Sequence, residues 1–379
     1  MTASAPTRPA GRLKLRGLTV TPVRLTLHRP LKMSIATVPE RECVVVEAMT
    51  DGGPTGLGES VLAPYFTGEN VAGAMRAINL VIAPALVGSD VFDLAGASMT
   101  MERVLHGNAA AKAAVDVALH DAAARALGIP LYILLGGRVR NRVASTWHVV
   151  GTSPQEVADE TAAGLGMGFT AVKLKVGSQN LALDLARLDA VCRIVGSGVQ
   201  VRVDANQAWS PSQAIRFLEA TRDRDLQFLE QPVHRDDVAG MARVAASSST
   251  PVAPDEGVYD ATGALTYLRS EAAGGFVPKL IKGGITGVRH LAAVADAANV
   301  GLHLAGMPGE SSICAAAATH LAVALPRLPW DSGISPHSIS SDLVQEPMVL
   351  IDGCYEPPTG PGIGVSLDRR SLARARIDL

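Results

Sequence analysis

Near the start of the chain, apolar residues fall at every second position. Leu18-Thr19-Val20 and Val23-Arg24-Leu25-Thr26-Leu27 have the period of strands with one buried face. Cys43-Val44-Val45-Val46-Glu47 is a β-branched run of the same character, and Asp51-Gly52-Gly53-Pro54 turns the chain after it. From Ala109 to Leu127 there is neither Gly nor Pro, Ala dominates, and Gly128 and Pro130 follow, which predicts a helix. Residues 1–140 therefore read as an N-terminal α+β domain, with 1–12 as a loose tail. That tail lacks the apolar stretch a signal peptide needs.

The pattern changes after residue 140. Short apolar runs, each followed by a helix-like stretch, end near His148, Val176, Asp204, Glu230, Asp255, Leu280, Leu304 and Asp331, at intervals of 24 to 28 residues. Eight strand signals at this spacing predict an α/β fold over 141–345, a (β/α)8-type barrel. A doubly wound sheet is the competitor, but no Gly-rich fingerprint follows an early strand. Residues 346–379 read as a Pro- and Gly-rich C-terminal segment packing back on the first domain.

Composition narrows the function. The chain has 379 residues, 47% hydrophobic and 18% charged, enough apolar material for a large core. A net charge of -2 argues against a nucleic-acid partner, and no apolar run is long enough to span a bilayer. The four cysteines are far apart and form no CxxC pair, as expected of a cytoplasmic protein.

In such barrels chemistry sits at the C-terminal strand ends. Strand two ends in Lys173-Leu174-Lys175, so alternation puts both lysines on one side. Strands three, four and five end in Asp204, Glu230 and Asp255. One such acid is ordinarily a cap or turn residue, but three on consecutive strands converge and suit Mg²⁺, or Mn²⁺. Glu256, adjacent to Asp255, is expected to point away and support the site. Lys279 ends strand six, on the wall opposite strand two, whereas Lys282 reads as a loop residue, a solvated charge or a contact for a phosphate-like anion. A divalent cation flanked by two lysines is a device for removing a proton next to a carboxylate. The lysine that takes the proton must be neutral, and repulsion from Lys173 pushes in that direction.

The ordered motifs KxK, DxN, ExP, DE and KxxKGG resemble the enolase superfamily, in the muconate-lactonizing (muconate cycloisomerase) subgroup of its mandelate racemase/muconate lactonizing enzyme family. The resemblance extends to Gly107-Asn108, Ala111-Lys112-Ala113-Ala114, Leu134-Leu135-Gly136-Gly137-Arg138, Val203 to Trp209 and Pro361 to Val365. It implies a (β/α)7β barrel under a capping domain whose loops, here about 30–38 and 63–68, close over the mouth. It also implies Asp204, Glu230 and Asp255 as metal ligands, Lys175 and Lys279 as the acid/base pair, Lys173 as a contact to the substrate carboxylate, and Asn206 as a supporting residue. A homo-oligomer is expected on the same ground. Two positions depart from the subgroup: Gly257 stands where Ser is common, and Pro329-Trp330-Asp331 supplies only one acid of an Asp-x-Asp pair that holds a dipeptide's ammonium group.

The substrate is thus expected to be a small-molecule carboxylate. Racemisation, epimerisation, cycloisomerisation and β-elimination share the enediolate and stay open. Candidate specificity residues are Trp147, His148, Met33, Ile35, Tyr65, Phe66, Glu310, Trp330 and Asp331, the last three being two acids and a Trp that suit a cationic group. Two other classes compete. A Schiff-base lysine lyase does not require three convergent acids, and a non-catalytic binding protein does not require both lysines.

Overall fold

The computed structural model describes residues 13–32, 37–178 and 180–378. An antiparallel sheet opens the chain, formed by β1 (Leu15–Lys32), β2 (Thr37–Thr50) and β3 (Gly56–Leu62) in that order. Its alternating residues pair as the sequence suggests: Val20 lies opposite Val46, and Arg24 opposite Glu42 with an ion pair at 2.8 Å.

The Ala-rich helix Ala109–Leu127 packs across this sheet. Small residues on both sides bring the backbones together, since a Cβ at Gly58 would lie 2.0 Å from Ala114 O and one at Gly56 2.1 Å from Ala118 O. The Glu69 carboxylate accepts hydrogen bonds from the N–H groups of Ala110 and Ala111, satisfying two donors that the first turn leaves open. Gly128, at φ 68°, ends the helix in the left-handed conformation.

Two buried acids make this helix a seam. Asp121 accepts from Leu57 N–H and from Ile363 N–H of the C-terminal segment, and Asp116 accepts from Ile285 N–H of a barrel helix. Farther along the C-terminal segment, Arg369 pairs with Glu47 of β2.

Eight short parallel strands form the barrel. The first five are Trp147–Val149, Ala171–Lys175, Gln200–Asp204, Leu226–Glu230 and Val252–Ala253, hydrogen-bonded in sequence order. Gly275–Phe276, the pair Gly301–Leu302 and Leu304–Ala305, and Ser332–Gly333 complete the ring. Gly274 N–H joins strand six to Val252 of strand five. Strand one meets strand eight where the Ser145 and Thr146 hydroxyls donate to the carbonyls of Ile334 and Ser332. Among the described residues a helix follows each of the first seven strands, giving (β/α)7β. Capping boxes start two of these helices, Ser153 with Glu156 and Ser210 with Gln213. No helix among the described residues is long and apolar enough to cross a membrane.

The last strand departs from the sequence reading. Trp330 and Asp331 precede strand eight instead of ending it, so they lie at the barrel floor. The Trp330 ring fills the space that glycines leave, since Cβ atoms at Gly275 and Gly301 would lie 2.2 and 2.0 Å from it. Phe228 stacks on it at 4.6 Å.

The close sheet–helix approach makes a prediction. Gly58→Ala should destabilise the fold by about 1–3 kcal/mol through overpacking. A urea denaturation midpoint equal to that of the parent would show that the helix is free to move away.

Candidate active site

Strand geometry brings the basic and acidic candidates together. Leu174 is buried in the core while Lys173 and Lys175 turn inward. In register, Lys175 lies opposite Asp204, and Asp204 opposite Glu230. Lys173 Nζ donates to Glu230 Oε2 at 2.7 Å. Lys175 Nζ donates to Asp204 Oδ2 at 2.5 Å and to Asn206 Oδ1 at 2.9 Å. On the other side, Lys279 Nζ donates to Asp255 Oδ2 at 2.5 Å.

Asp255 and Lys279 stand in loops beyond strands five and six. Gln231 fixes the first of these loops: its Oε1 accepts from the N–H groups of Asp255 and Gly257. Gly257 is where a side chain would strike Tyr267 Oη, at 2.2 Å. Asn206, Gln207 and Gln231 all have positive φ, so the turns leaving strands three and four are strained beside the site.

Lys282 is not solvated, contrary to the sequence reading. It is buried, donates to the carbonyls of Asp255, Val258 and Val277, and pairs with Asp255 at 2.8 Å. Glu256 also departs from expectation. Because it lies outside a strand, alternation does not turn it away. It lines the same cavity as Asp255 and accepts from Asn206 Nδ2 at 3.1 Å.

Burial and pairing set the charges. Burial, reinforced by Asp204, raises Glu230 to about 7; burial and Asp255 raise Glu256 to about 7. Burial also acts upward on Asp255, but Lys279 and Lys282 outweigh it and hold that carboxyl below its usual range. Burial pushes Lys175 and Lys279 down, yet Asp204 and Asp255, with Glu230, hold both ammonium groups above the ordinary lysine value. This reverses the expected lowering, because each lysine rests on an acid. His148, in register with Lys173, is held well below its usual value by burial and by Lys173 and Lys175, so it is a neutral wall.

Among the described residues, no group of three or more His, Cys, Asp or Glu side chains is arranged to hold a metal ion as it stands. Asp204, Glu230 and Asp255 each face an ammonium group instead. The donor set still suits a hard divalent cation. Its three carboxylates are buried and already engage positive charge, and Glu256 Oε2 beside them is buried without a hydrogen-bond partner among the described residues. The residues thus fit such a cation in kind, and the lysines occupy oxygens it would take.

The cap supplies Tyr65 and Phe66 to this cavity, and Phe66 lies beneath Lys279, with Nζ 4.6 Å from the ring centroid. Arg235 pins their carbonyls, donating to Tyr65 O and Phe66 O. Met33 and Ile35 lie outside the described residues. Trp147 and His148 line an adjoining cavity of about 310 Å³ with Leu27, Arg29, Ser335 and His337. Among the described residues, Ser335 Oγ is buried there with no hydrogen-bond partner, and no Asp or Glu lines this chamber.

Three specificity candidates line neither cavity. Trp330 and Asp331 belong to the floor, where Asp331 lies 3.8 Å from the buried Arg202. The mouth end of strand eight is followed by Ser335-Pro336-His337, which carries no acid for an ammonium group. Glu310 follows strand seven at the mouth end, buried beside Gly306 of the cavity lining, with Oε2 2.7 Å from where a Cβ at Gly306 would stand. Sequence reasoning missed Arg41, Gln231 and Ser335. Arg41 was hidden between Glu40 and Glu42, where it resembled a solvated strand residue.

Comparison with known proteins agrees with this geometry. Residues 156–371 match the enolase C-terminal domain-like family, and residues 15–136 match the mandelate racemase/muconate lactonizing enzyme N-terminal domain. The L-Ala-D/L-Glu epimerase of Bacillus subtilis is 32% identical over 93% of this chain and 97% of its own length. The muconate lactonizing enzyme of Pseudomonas fluorescens, solved with muconolactone, is similar with a TM-score of 0.93 and 31% identity, covering 97% of this chain and all of that one. The N-succinyl Arg/Lys racemase of Bacillus cereus is similar with a TM-score of 0.92 and 27% identity, over 96% of this chain and 98% of that one.

Glu310 supplies a pH test. Burial raises its carboxyl from the usual 4.5 to about 8. Between those values the folded chain holds a proton that the unfolded chain has lost, so stability falls as pH rises through that window. Glu310→Gln should flatten the fall in thermal midpoint over this range. A parent-like slope in the variant would show that Glu310 is ionised in the fold.

Proposed function

Since the chain belongs to the mandelate racemase/muconate lactonizing enzyme family of the enolase superfamily, whose enzymes are metal-dependent and include the epimerase and cycloisomerases it is similar to, we propose that it removes the proton α to the carboxylate of a small acid. The observation that carries this reading is the placement of Lys175 and Lys279. They come from opposite sides of the barrel, and each touches a buried carboxylate at one cavity.

Asp204, Glu230 and Asp255 would hold Mg²⁺, which when bound supplies positive charge to the substrate carboxylate as the enediolate develops. Lys173, buried beside Glu230, adds a fixed positive charge at that end of the cavity. Lys175 and Lys279 then work from opposite walls, one taking the proton and the other able to return one to the opposite face. Their acids now hold both lysines charged. With Asp204 and Asp255 turned away, burial and, at Lys175, the nearby Lys279 favour a neutral amine, against Glu230 at both lysines and Glu256 at Lys279. Asn206 keeps Lys175 oriented through its side-chain carbonyl. Tyr65, Phe66 and the neutral His148 limit access of water to the cavity.

Returning the proton gives racemisation or epimerisation, and the same intermediate leads to cycloisomerisation. A substrate with a free ammonium group at its far end is disfavoured, since no acid among the described residues lines the adjoining chamber.

The test is α-proton exchange in D₂O with Mg²⁺, followed by NMR. The panel would hold cis,cis-muconate, both enantiomers of N-acylated amino acids, and dipeptides. Lys175→Ala and Lys279→Ala should each reduce turnover by at least about a hundredfold, in line with loss of general acid–base catalysis. Turnover near the parent rate in Lys279→Ala on a confirmed substrate would refute the assignment.

A further inference from the structure

Lys175 and Lys279 are anchored differently, and the difference lies behind the strands. The register of strands one and two ends with Val149 opposite Leu174. Just past it, the carbonyls of Gly151 and Lys175 accept instead from one side chain. Arg187, on the helix Leu181–Ile194 that follows strand two, donates from Nη2 to Gly151 O at 2.6 Å and to Lys175 O at 2.7 Å. Its Nη1 donates to Asp184 Oδ1 at 3.0 Å, one turn earlier on the same helix. Asp184 Oδ2 in turn accepts from Gly177 N–H at 3.1 Å, and Glu160 accepts from Gly151 N–H at 3.0 Å. Arg187 and Asp184 are both buried, and Arg187 Nε has no hydrogen-bond partner among the described residues.

A buried guanidinium is costly to place, and packing alone does not ask for one where Leu188 and Val191 of the same helix are buried and apolar. Asp184 balances the charge. Nη2 is spent on two main-chain carbonyls, which the rigid planar fork holds at a fixed spacing. One of them belongs to Lys175 itself. The N–H of the same peptide unit, on Val176, donates to Asp204 O at 2.8 Å, so that peptide plane is held from both sides. A fixed peptide plane sets the direction in which the Lys175 stem leaves the strand. At its far end the amine rests on Asp204 and Asn206. A cation bound by Asp204 would take the first of these contacts, leaving the root of the side chain and Asn206 to aim the amine. Lys279 has no such anchor: its carbonyl accepts from Lys282 N–H within its own turn, and its amine is held by Asp255.

We propose that Arg187 is a positioning residue for Lys175, acting through the main chain, and that it serves one face of the substrate only. The inference rests on the proposed reaction, in which the two lysines work from opposite walls. A purely structural Arg187 supports the fold as a whole, and its loss slows both lysines alike. An Arg187 that aims Lys175 leaves the lysine on the other wall as it was.

The test is α-proton exchange in D₂O with Mg²⁺ on the full chain, read by NMR for each member of enantiomeric N-acylated amino acids and of epimeric dipeptides. Lys175→Ala and Lys279→Ala first show which member of a pair each lysine serves. Arg187→Gln should then slow exchange from the Lys175 member about ten- to a hundredfold, the scale of a misplacement of about an ångström, and leave the other near the parent rate. Arg187→Lys keeps the charge without the planar fork and should recover part of the loss. Equal slowing of both members overturns the role, as does slowing of neither. If Arg187→Gln does not fold, the ratio between members in Arg187→Lys decides, and a parent-like ratio overturns the role. Lysine variants without a face preference would sink the proposed reaction and this role with it. A face preference in the lysine variants that Arg187→Gln does not share would sink the role of Arg187 alone. A parent chain that exchanges neither member of any pair overturns the role as well.

Discussion

Charge buried at one end of the barrel must be neutralised where it stands, and the arrangement of the whole mouth follows from that. Asp204, Glu230 and Asp255 are almost inaccessible to solvent, as are Lys173 and Lys282. Removing either member of such a pair leaves a charge whose uncompensated burial costs about 3–5 kcal/mol. The strands meet this constraint by register, which places Lys175 against Asp204 and Asp204 against Glu230. The loops after strands five and six meet it through Gln231 and Lys282, whose hydrogen bonds to main-chain atoms hold Asp255 in reach of Lys279.

The same constraint explains why the cap and barrel are tightly joined. A water-filled mouth would weaken every one of these electrostatic contacts. The cap closes it with Tyr65 and Phe66, and Arg235 and Tyr259 hold Phe66 from the barrel side through its carbonyl. Farther back, Asp116 ties the long Ala-rich helix to the barrel helix that begins after Lys279. Gly284, at φ 63°, lets that helix kink beside Asp116, where a Cβ would lie 2.4 Å from the carboxylate oxygen. The seam and the site thus share one helix.

Much of this was legible in the sequence. The spacing of the strand signals located the first four barrel strands, and period-two alternation put Lys173 and Lys175 on the same side. What failed did so for identifiable reasons. Late strands are only two residues long, too short for alternation to show, and so Trp330 was read as a strand end although its ring fills the floor over two glycines. Glu256 was assigned by strand alternation in a place where no strand exists. Lys282 and Arg41 carry charges that composition assigns to solvent. Their burial depends on partners contributed by distant segments: the carbonyls of Val258 and Val277 for one, Pro308 and Tyr65 for the other.

The central claim is that these acids form one cation site whose oxygens the lysines now occupy. Titration of Mn²⁺ followed by electron paramagnetic resonance tests it directly, comparing the parent chain with Glu230→Gln and Asp255→Asn. The account predicts one bound ion per chain in the parent and much weaker binding in both variants, with the fold retained as judged by circular dichroism. Parent-like affinity in either variant would contradict it, because the cation would then lie elsewhere.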